Sequence, residues 1–140
     1  MILKKLTNEY IDSYKDLINK SFSILSSKKS LEKMVKDKQY NTIVMIDKDQ
    51  VVGSITYEER YDYIKNCKFY YLSYVCTDIN YQRQNIASKI LEYIESTAKL
   101  ENVEYITFTS SSKRKKAHAF YFKHQYLLRD TNVFIKYINE

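Results

Sequence analysis

The chain has 140 residues, of which 44% are hydrophobic and 29% charged, and its formal net charge is +6 at pH 7. These values predict one soluble globular domain over residues 1–140 and exclude a disordered chain, and no apolar run approaches the roughly 18–20 residues of a membrane span. The positive charge favours anionic partners, nucleic acid among them, without choosing between them.

Cysteine and histidine spacing predicts neither a disulfide nor a metal site. Cys67 and Cys76 fall near opposite ends of one predicted strand, roughly 30 Å apart at about 3.3 Å per residue, which is too far to pair. His118 and His124 have no carboxylate arranged beside them, and no zinc-type spacing is present. Residues 1–6 lack the apolar core of a secretory signal, so we expect a cytoplasmic protein.

The N-terminal region is predicted to form a strand and two helices. Residues 1–6 alternate weakly, as an edge strand does. Thr7 resembles the N-cap of a first helix. The apolar stripe of that helix consists of Tyr10, Ile11, Tyr14, Leu17 and Ile18. After a loop over residues 21–29 that is rich in serine and lysine, Ser30 is expected to open a short second helix.

Two apolar runs, residues 42–47 and 51–57, predict a β-hairpin although the connection lacks the Asn-Gly signal. Gly53, the only glycine, lies inside the second run. That position predicts a β-bulge or a close approach of backbone, with ordinary packing as the alternative. Residues 58–67 are charged and aromatic and are expected to form a loop or an extension of the strand.

Residues 69–98 predict a strand, a polar turn and a helix in succession. Consecutive aromatic and β-branched residues at 69–77 are typical of a buried central strand. A helix is predicted from Ile86, with the apolar stripe Ala87, Ile90, Leu91, Ile94 and Ala98. Residues 82–87 carry backbone N–H groups that the helix cannot satisfy internally, at the positive end of its dipole. Such a turn can bind a phosphate.

The C-terminal part is predicted to contain a strand over residues 103–109, a turn at Ser110–Ser112, a helix from Lys113 to about His124 and an alternating last strand, Val133–Ile138. The full order is β-α-α-β-β-β-α-β-α-β. It predicts an α/β (α+β) fold with a mixed central β-sheet and helices on both faces.

Two segments resemble motifs of the GNAT superfamily of acyl-CoA N-acyltransferases. Gln82-x-x-Asn85-x-Ala87 is similar to the Gln/Arg-x-x-Gly-x-Gly/Ala signature, whose turn holds the pyrophosphate of coenzyme A. Asn85 replaces the usual glycine, and asparagine visits the left-handed region more readily than other non-glycine residues. Ser110 to Tyr126 resembles the Ser-Gly-Ser-x-Arg-x-x-Ala-His-x-Phe-Tyr-x-x-x-Gly-Tyr segment of small GNAT enzymes. Both follow the family's order, which implies the GNAT fold in a small single-domain acetyltransferase.

The resemblance implies transfer of an acetyl group from acetyl-CoA to a primary amine of a small molecule or peptide, by direct attack in a ternary complex and without a metal. Tyr121 matches the tyrosine that protonates the departing thiolate, a role that suits a phenol because it is neutral at pH 7. The implied coenzyme A contacts are Val75, Cys76 and Thr77 along the pantetheine, Gln82, Arg83, Gln84, Asn85, Ile86, Ala87 and Ser88 at the pyrophosphate, and Arg114 and Ala117.

Each site assignment has a structural alternative. Residues 82–87 could be an ordinary connection, and Tyr121 could be a packed core aromatic. The run Lys113–Lys116 could be a nucleic-acid patch, but a solvated helix face is the commoner case. The general base is open, with Glu58, Glu59 or a water chain as candidates.

Three function classes follow from these readings. An N-acetyltransferase is favoured, a catalytically silent acyl-CoA-binding module is second, and a basic nucleic-acid-binding protein is a distant third. The acceptor amine is not identified, because its pocket is expected from the least motif-like segments, residues 20–40 and 58–67. The oligomeric state is also open, with a homodimer as one alternative.

Overall fold

Five strands form one mixed sheet in the computed structural model, which describes residues 1–139. The strands are Ile2–Lys5 (β1), Tyr40–Asp47 (β2), Gln50–Asp62 (β3), Cys67–Thr77 (β4) and Tyr105–Thr107 (β5). They lie in the order β1-β2-β3-β4-β5; the first four are antiparallel, and β5 runs parallel to β4. The sheet belongs to one compact unit, Met1–Phe108, and the residues from Thr109 onward form a second unit.

Three helices cover the sheet and one belongs to the second unit. They are Ile11–Phe22 (α1), Lys28–Lys36 (α2), Ile86–Leu100 (α3) and Lys115–Lys123 (α4). The helices α1 and α2 pack on one face of the sheet and α3 packs on the other. This arrangement confirms the predicted α/β sheet with helices on both faces. In the part of the chain that the structure describes, none of the helices is long and apolar enough to cross a membrane.

Both predicted helix starts in the N-terminal region need correction. A 3₁₀ turn, Asn8–Tyr10, precedes α1, and Thr7 flanks that turn without a side-chain capping hydrogen bond. The N-cap of α2 is Ser27 rather than Ser30, because the Ser27 hydroxyl accepts a hydrogen bond from the Ser30 N–H at 3.3 Å. Both serines have the cap chemistry, and only the backbone geometry distinguishes them.

The β2–β3 hairpin forms as predicted and continues further than its apolar pattern suggests. Its turn residues, Lys48 and Asp49, both have positive φ (49° and 64°), as a two-residue type I′ turn requires. The strand β3 extends to Asp62, so residues 58–62 are strand. The strand-extension alternative is therefore confirmed for this part of residues 58–67.

The predicted last strand, Val133–Ile138, does not form within the described residues. Its apolar side chains are exposed, with Phe134 at 92%. Val133, Phe134 and Ile135 are consecutive apolar residues that would fall on both faces of a strand. Such a segment specifies neither a buried face nor a pairing register, although it alternates in part.

Gly53 lies where the sheet is irregular and α3 is close. Met45 pairs with Gly53 and Ile46 with Val51, so Val52 is an extra residue in β3 and forms a bulge. A Cβ on Gly53 would meet Ile86 Cγ2 closer than real Cβ atoms approach, and it would lie 3.4 Å from Ile90 Cδ1. The predicted bulge and the packing alternative therefore both apply. The predicted close approach of backbone is not found, because the tight contact is made by a helix side chain.

We expect Gly53→Ala to lower the free energy of unfolding by about 1–3 kcal/mol, because the added methyl group overpacks the contact with α3. Urea denaturation would measure this change. Ile86→Ala removes the Cγ2 atom, so in an Ile86→Ala background the cost of Gly53→Ala should shrink towards zero. Additive costs in this double-mutant cycle would contradict the close contact.

Candidate active site

The connection from β4 to α3 is held by side-chain hydrogen bonds at both of its flanks. A 3₁₀ turn, Ile79–Tyr81, follows the strand, and the Tyr81 hydroxyl donates to Asp47 Oδ2 at 2.7 Å. The Gln82 side chain reaches back and donates from Nε2 to the Thr77 carbonyl oxygen at 3.1 Å. These bonds fix the entry of the chain into the predicted phosphate-binding turn.

The helix α3 begins without a capping hydrogen bond from its N-cap side chain. Asn85 is its N-cap residue, with φ 58° and ψ 27° in the left-handed region, and its side chain makes no capping hydrogen bond. This confirms the left-handed backbone expected where the motif that the turn resembles has glycine. Arg83 also has positive φ, at 67°.

The donors of the first helical turn suit an anion. The first ladder bond runs from the Lys89 N–H to the Asn85 carbonyl at 3.0 Å, so the amides of residues 86–88 precede the ladder. The first turn of α3 contains no acidic residue. Amide donors at the positive end of a helix dipole, without a competing carboxylate in that turn, match the chemistry of a phosphate site.

A β-bulge interrupts β4 just before the predicted pantetheine segment. Ser54 pairs with Cys76 and Thr56 with Ser73, so three steps along β4 oppose two along β3. Tyr74, inside this bulge, has φ 51°, an uncommon backbone conformation for a bulky residue. The structure therefore brings the predicted residues 75–77 and 82–88 together in one bulge–strand–turn–helix segment of the first unit.

The thiol of Cys76 is unsuited to nucleophilic catalysis. Burial raises its pKa to about 11, although a hydrogen bond with Ser21 acts in the opposite direction. The thiolate, rather than the thiol, is the nucleophile. Within residues 1–139, no group of three His, Cys, Asp or Glu side chains is placed to hold a metal ion.

Tyr121, Arg114 and Ala117 belong to the second unit. Tyr121 lies in α4 and is buried; that burial raises the pKa of its phenol, and the charge of Arg114 partly lowers it. The Phe120 ring packs against Tyr121 edge to face, with centroids 5.5 Å apart. Residues 113–116 are exposed, as expected for a solvated start of the helix. The second unit therefore offers a neutral phenol beside a cation.

The two candidate bases point to opposite faces of the sheet. Glu59 forms an ion pair with Lys68 at 3.0 Å on the α3 face. Glu58 lies on the α1/α2 face, and its two oxygens accept hydrogen bonds from Arg60 Nε at 3.3 Å and Nη2 at 3.0 Å. The sequence does not predict the contact between Arg60 and Glu58. Alternation along one strand face would place residues 58 and 60 together, but the sequence predicts either a loop or a strand extension for residues 58–67.

Comparison with known proteins identifies the family. The sequence model described as "Acetyltransferase (GNAT) domain" matches residues 5–134. The chain belongs to the GNAT acetyltransferase family. No curated protein matches the sequence of this GNAT protein.

Solved acetyltransferase structures share its fold at low sequence identity. An aminoglycoside acetyltransferase from an uncultured soil metagenomic sample has 16% identity and a TM-score of 0.86, over 99% of this chain and 96% of that one. An acetyltransferase from Trypanosoma brucei has 15% identity and a TM-score of 0.84, over 97% and 99%. A ribosomal-protein-alanine N-acetyltransferase from Brucella melitensis has 8% identity and a TM-score of 0.82, over 99% and 100%. These likenesses confirm the predicted GNAT fold.

We expect Asn85→Gly to preserve or improve the affinity for coenzyme A, because glycine adopts positive φ without strain. Asn85→Val should weaken binding by about 1–3 kcal/mol, since a β-branched residue resists that conformation. Isothermal titration with coenzyme A measures both effects, and thermal unfolding of each variant without ligand shows whether the fold is intact. If the two variants bound coenzyme A with equal affinity, residue 85 would not belong to the binding site.

Proposed function

We propose that this GNAT protein is an acetyl-CoA-dependent N-acetyltransferase, which acetylates a primary amine of a small molecule or peptide by direct attack in a ternary complex. The observation that carries the proposal is the start of α3. There, left-handed Asn85, whose side chain makes no capping hydrogen bond, leads into the helix at the end of the turn that follows the bulged strand. Family membership supports acyl transfer as the reaction class.

The donor set fits coenzyme A along one continuous segment. Backbone at Val75–Thr77 would follow the pantetheine arm, and the amides at the start of α3 would receive the pyrophosphate. Arg83 adds positive charge that suits the remaining phosphate oxygens. Arg114 and Ala117, which belong to the second unit, are included by their positions in the family motif. Acetyl-CoA supplies an activated thioester when it is bound.

In the proposed reaction the acceptor nitrogen forms a bond to the acetyl carbon, the carbon–sulfur bond breaks, the nitrogen loses a proton and the sulfur gains one. Tyr121 would donate the proton to sulfur and recover one from solvent. The raised pKa of its buried phenol keeps that proton on the oxygen at neutral pH. The neutral Cys76 thiol supports direct transfer over a route through an acyl-cysteine.

A catalytically silent acyl-CoA-binding module is the second candidate. It is favoured by one observation, which is that Arg60 engages both oxygens of the candidate base Glu58. A silent module would bind acetyl-CoA and leave every amine unacetylated. Turnover with a panel of amines separates the two candidates.

Acetyl-CoA should raise the melting temperature, because a ligand that binds only the folded state stabilises it by about 2.7 kcal/mol at a hundredfold excess over Kd. Differential scanning fluorimetry would measure the shift. S-acetylpantetheine is the matched control: it keeps the thioester but lacks the pyrophosphate, so its shift should be smaller. An unchanged melting temperature at millimolar acetyl-CoA would contradict cofactor binding.

Tyr121→Phe should lower kcat by about 10²-fold or more, the usual range for losing a general acid. Affinity for acetyl-CoA should change little, because the ring stays in place. Single-turnover rates should be measured beside steady state so that product release does not hide the chemical step.

Tyr126→Phe is the matched control, because the Tyr126 ring lies 6.4 Å from that of Tyr121 in the same unit. Its single-turnover rate should stay near that of the unaltered protein. A purely structural Tyr121 would give the opposite pattern, with lower stability and nearly normal turnover in the folded fraction. That result would remove Tyr121 from the mechanism.

A further inference from the structure

The side chains of Tyr40, Glu58, Arg60 and Tyr71 form a polar and aromatic cluster on the α1/α2 face of the sheet. The proposed reaction assigns no step to this cluster. Glu58 on β3 faces Tyr40 on β2 and Tyr71 on β4 as its direct strand partners. The guanidinium of Arg60 binds Glu58 and stacks over the Tyr71 ring, 4.3 Å from its centroid. The carboxylate of Glu58 raises the pKa of the Tyr40 hydroxyl, which places the two groups close together.

The cluster presents hydrogen-bond donors outward and keeps its carboxylate inside. The Glu58 side chain is 12% exposed and the Arg60 side chain 40%. A guanidinium has five N–H donors in a planar fork, and Glu58 engages Arg60 through Nε and Nη2. The outer edge of such a fork matches a second carboxylate in a bidentate manner. Solvent therefore reaches a positive group whose position is already fixed by Glu58 and Tyr71.

The distance from this cluster to the bulged end of β4 suits a short acceptor. Tyr71 precedes the bulge residue Tyr74 by three positions on the same strand, which spans about 10 Å at about 3.3 Å per residue. Ser73 and Cys76 lie on the same sheet face as Tyr71. Their partners on β3, Thr56 and Ser54, lie two and four residues before Glu58, so all three share one face. An acceptor could extend along this face from the proposed thioester position to Arg60.

We propose that Arg60 binds a carboxylate of the acceptor, so that the substrate class is a short peptide of about three residues, whose reactive amine lies about 10 Å from its carboxylate. This inference rests on the proposed function. It disfavours polycationic acceptors, because the one carboxylate of the cluster is already paired with Arg60. The formal net charge of +6 acts in the same direction.

The first test compares triglycine with triglycine amide, which share the reactive amine and differ only at the carboxyl end. We expect kcat/KM for triglycine to exceed that for the amide by about tenfold or more, the effect of a charge-assisted bidentate contact. Triglycine should also raise the melting temperature of the coenzyme A complex more than triglycine amide does. A second pair of peptides, with alanine in place of the first glycine, repeats the comparison with another amine.

The second test removes the guanidinium of Arg60 without leaving the Glu58 carboxylate buried and unpaired. The double variant Glu58→Gln/Arg60→Gln replaces the ion pair by two amides of similar shape, because removing one partner alone would leave an unpaired charge. We expect the ratio of kcat/KM for triglycine to kcat/KM for its amide to fall to about one in this variant. Because both rates are measured on the same variant, any effect of Glu58 on the chemical step cancels in the ratio. Arg60→Lys keeps the charge but loses the planar fork, so it should retain part of the preference.

The matched control is Glu59→Gln/Lys68→Gln, which removes an ion pair between β3 and β4 on the opposite sheet face. It should leave the preference intact. Equal rates on triglycine and its amide would overturn the inference, as would a preference that survives in Glu58→Gln/Arg60→Gln. A chain that binds acetyl-CoA and acetylates polyamines but neither peptide series would also overturn the inference while leaving the proposed function standing. Failure to acetylate any amine would overturn both.

Discussion

The contact between Gly53 and Ile86 sets the position of the proposed phosphate site. Ile86 is the first residue of α3 and is almost fully buried, and only the missing side chain at Gly53 lets it approach β3. At the other end of the helix, the Tyr70 hydroxyl donates to Glu101 Oε2 at 2.6 Å. Since α3 is held against the sheet at both ends, the amides of its first turn have a fixed position after β4. A binding site made of backbone groups depends on such packing, because no side chain can compensate for a displaced helix.

The bulge in β4 decides which side chains share a face with the proposed thioester position. Without the extra residue, Ser73 and Cys76 would point to opposite faces, because side chains alternate along a strand. With it, Cys76 joins the core under α1 while Ser73 and Tyr71 continue along the same face. Phe22 packs edge to face on Tyr74, with ring centroids 5.1 Å apart, and this contact ties the bulge to the end of α1. The proposed acceptor surface thus follows from one inserted residue.

The sequence predicted best those elements where independent signals coincide. The segment from β4 to α3 combines a continuous apolar run, a polar turn and a 3.6-residue stripe, and both its structure and the left-handed Asn85 were predicted. Residues 133–138 offered alternation alone, with apolar residues on both faces, and that strand prediction was wrong. The Arg60–Tyr71 stacking could not be predicted, because it requires the exact register between β3 and β4, which a shifted pairing at Ser54 and Thr56 alters.

Burial raises the pKa of two side chains, the Cys76 thiol and the Tyr121 phenol, and the consequence for the proposed reaction differs between them. For the Cys76 thiol the pKa rises to about 11. Near neutral pH both therefore keep their protons. A protonated thiol is a poor nucleophile, so an acyl-cysteine intermediate is disfavoured. A protonated phenol remains able to donate to a departing thiolate. The acceptor amine is then the nucleophile of the proposed reaction, and the choice of acceptor depends on the groups that hold the rest of its structure. On the α1/α2 face, the fixed guanidinium of Arg60 is such a group.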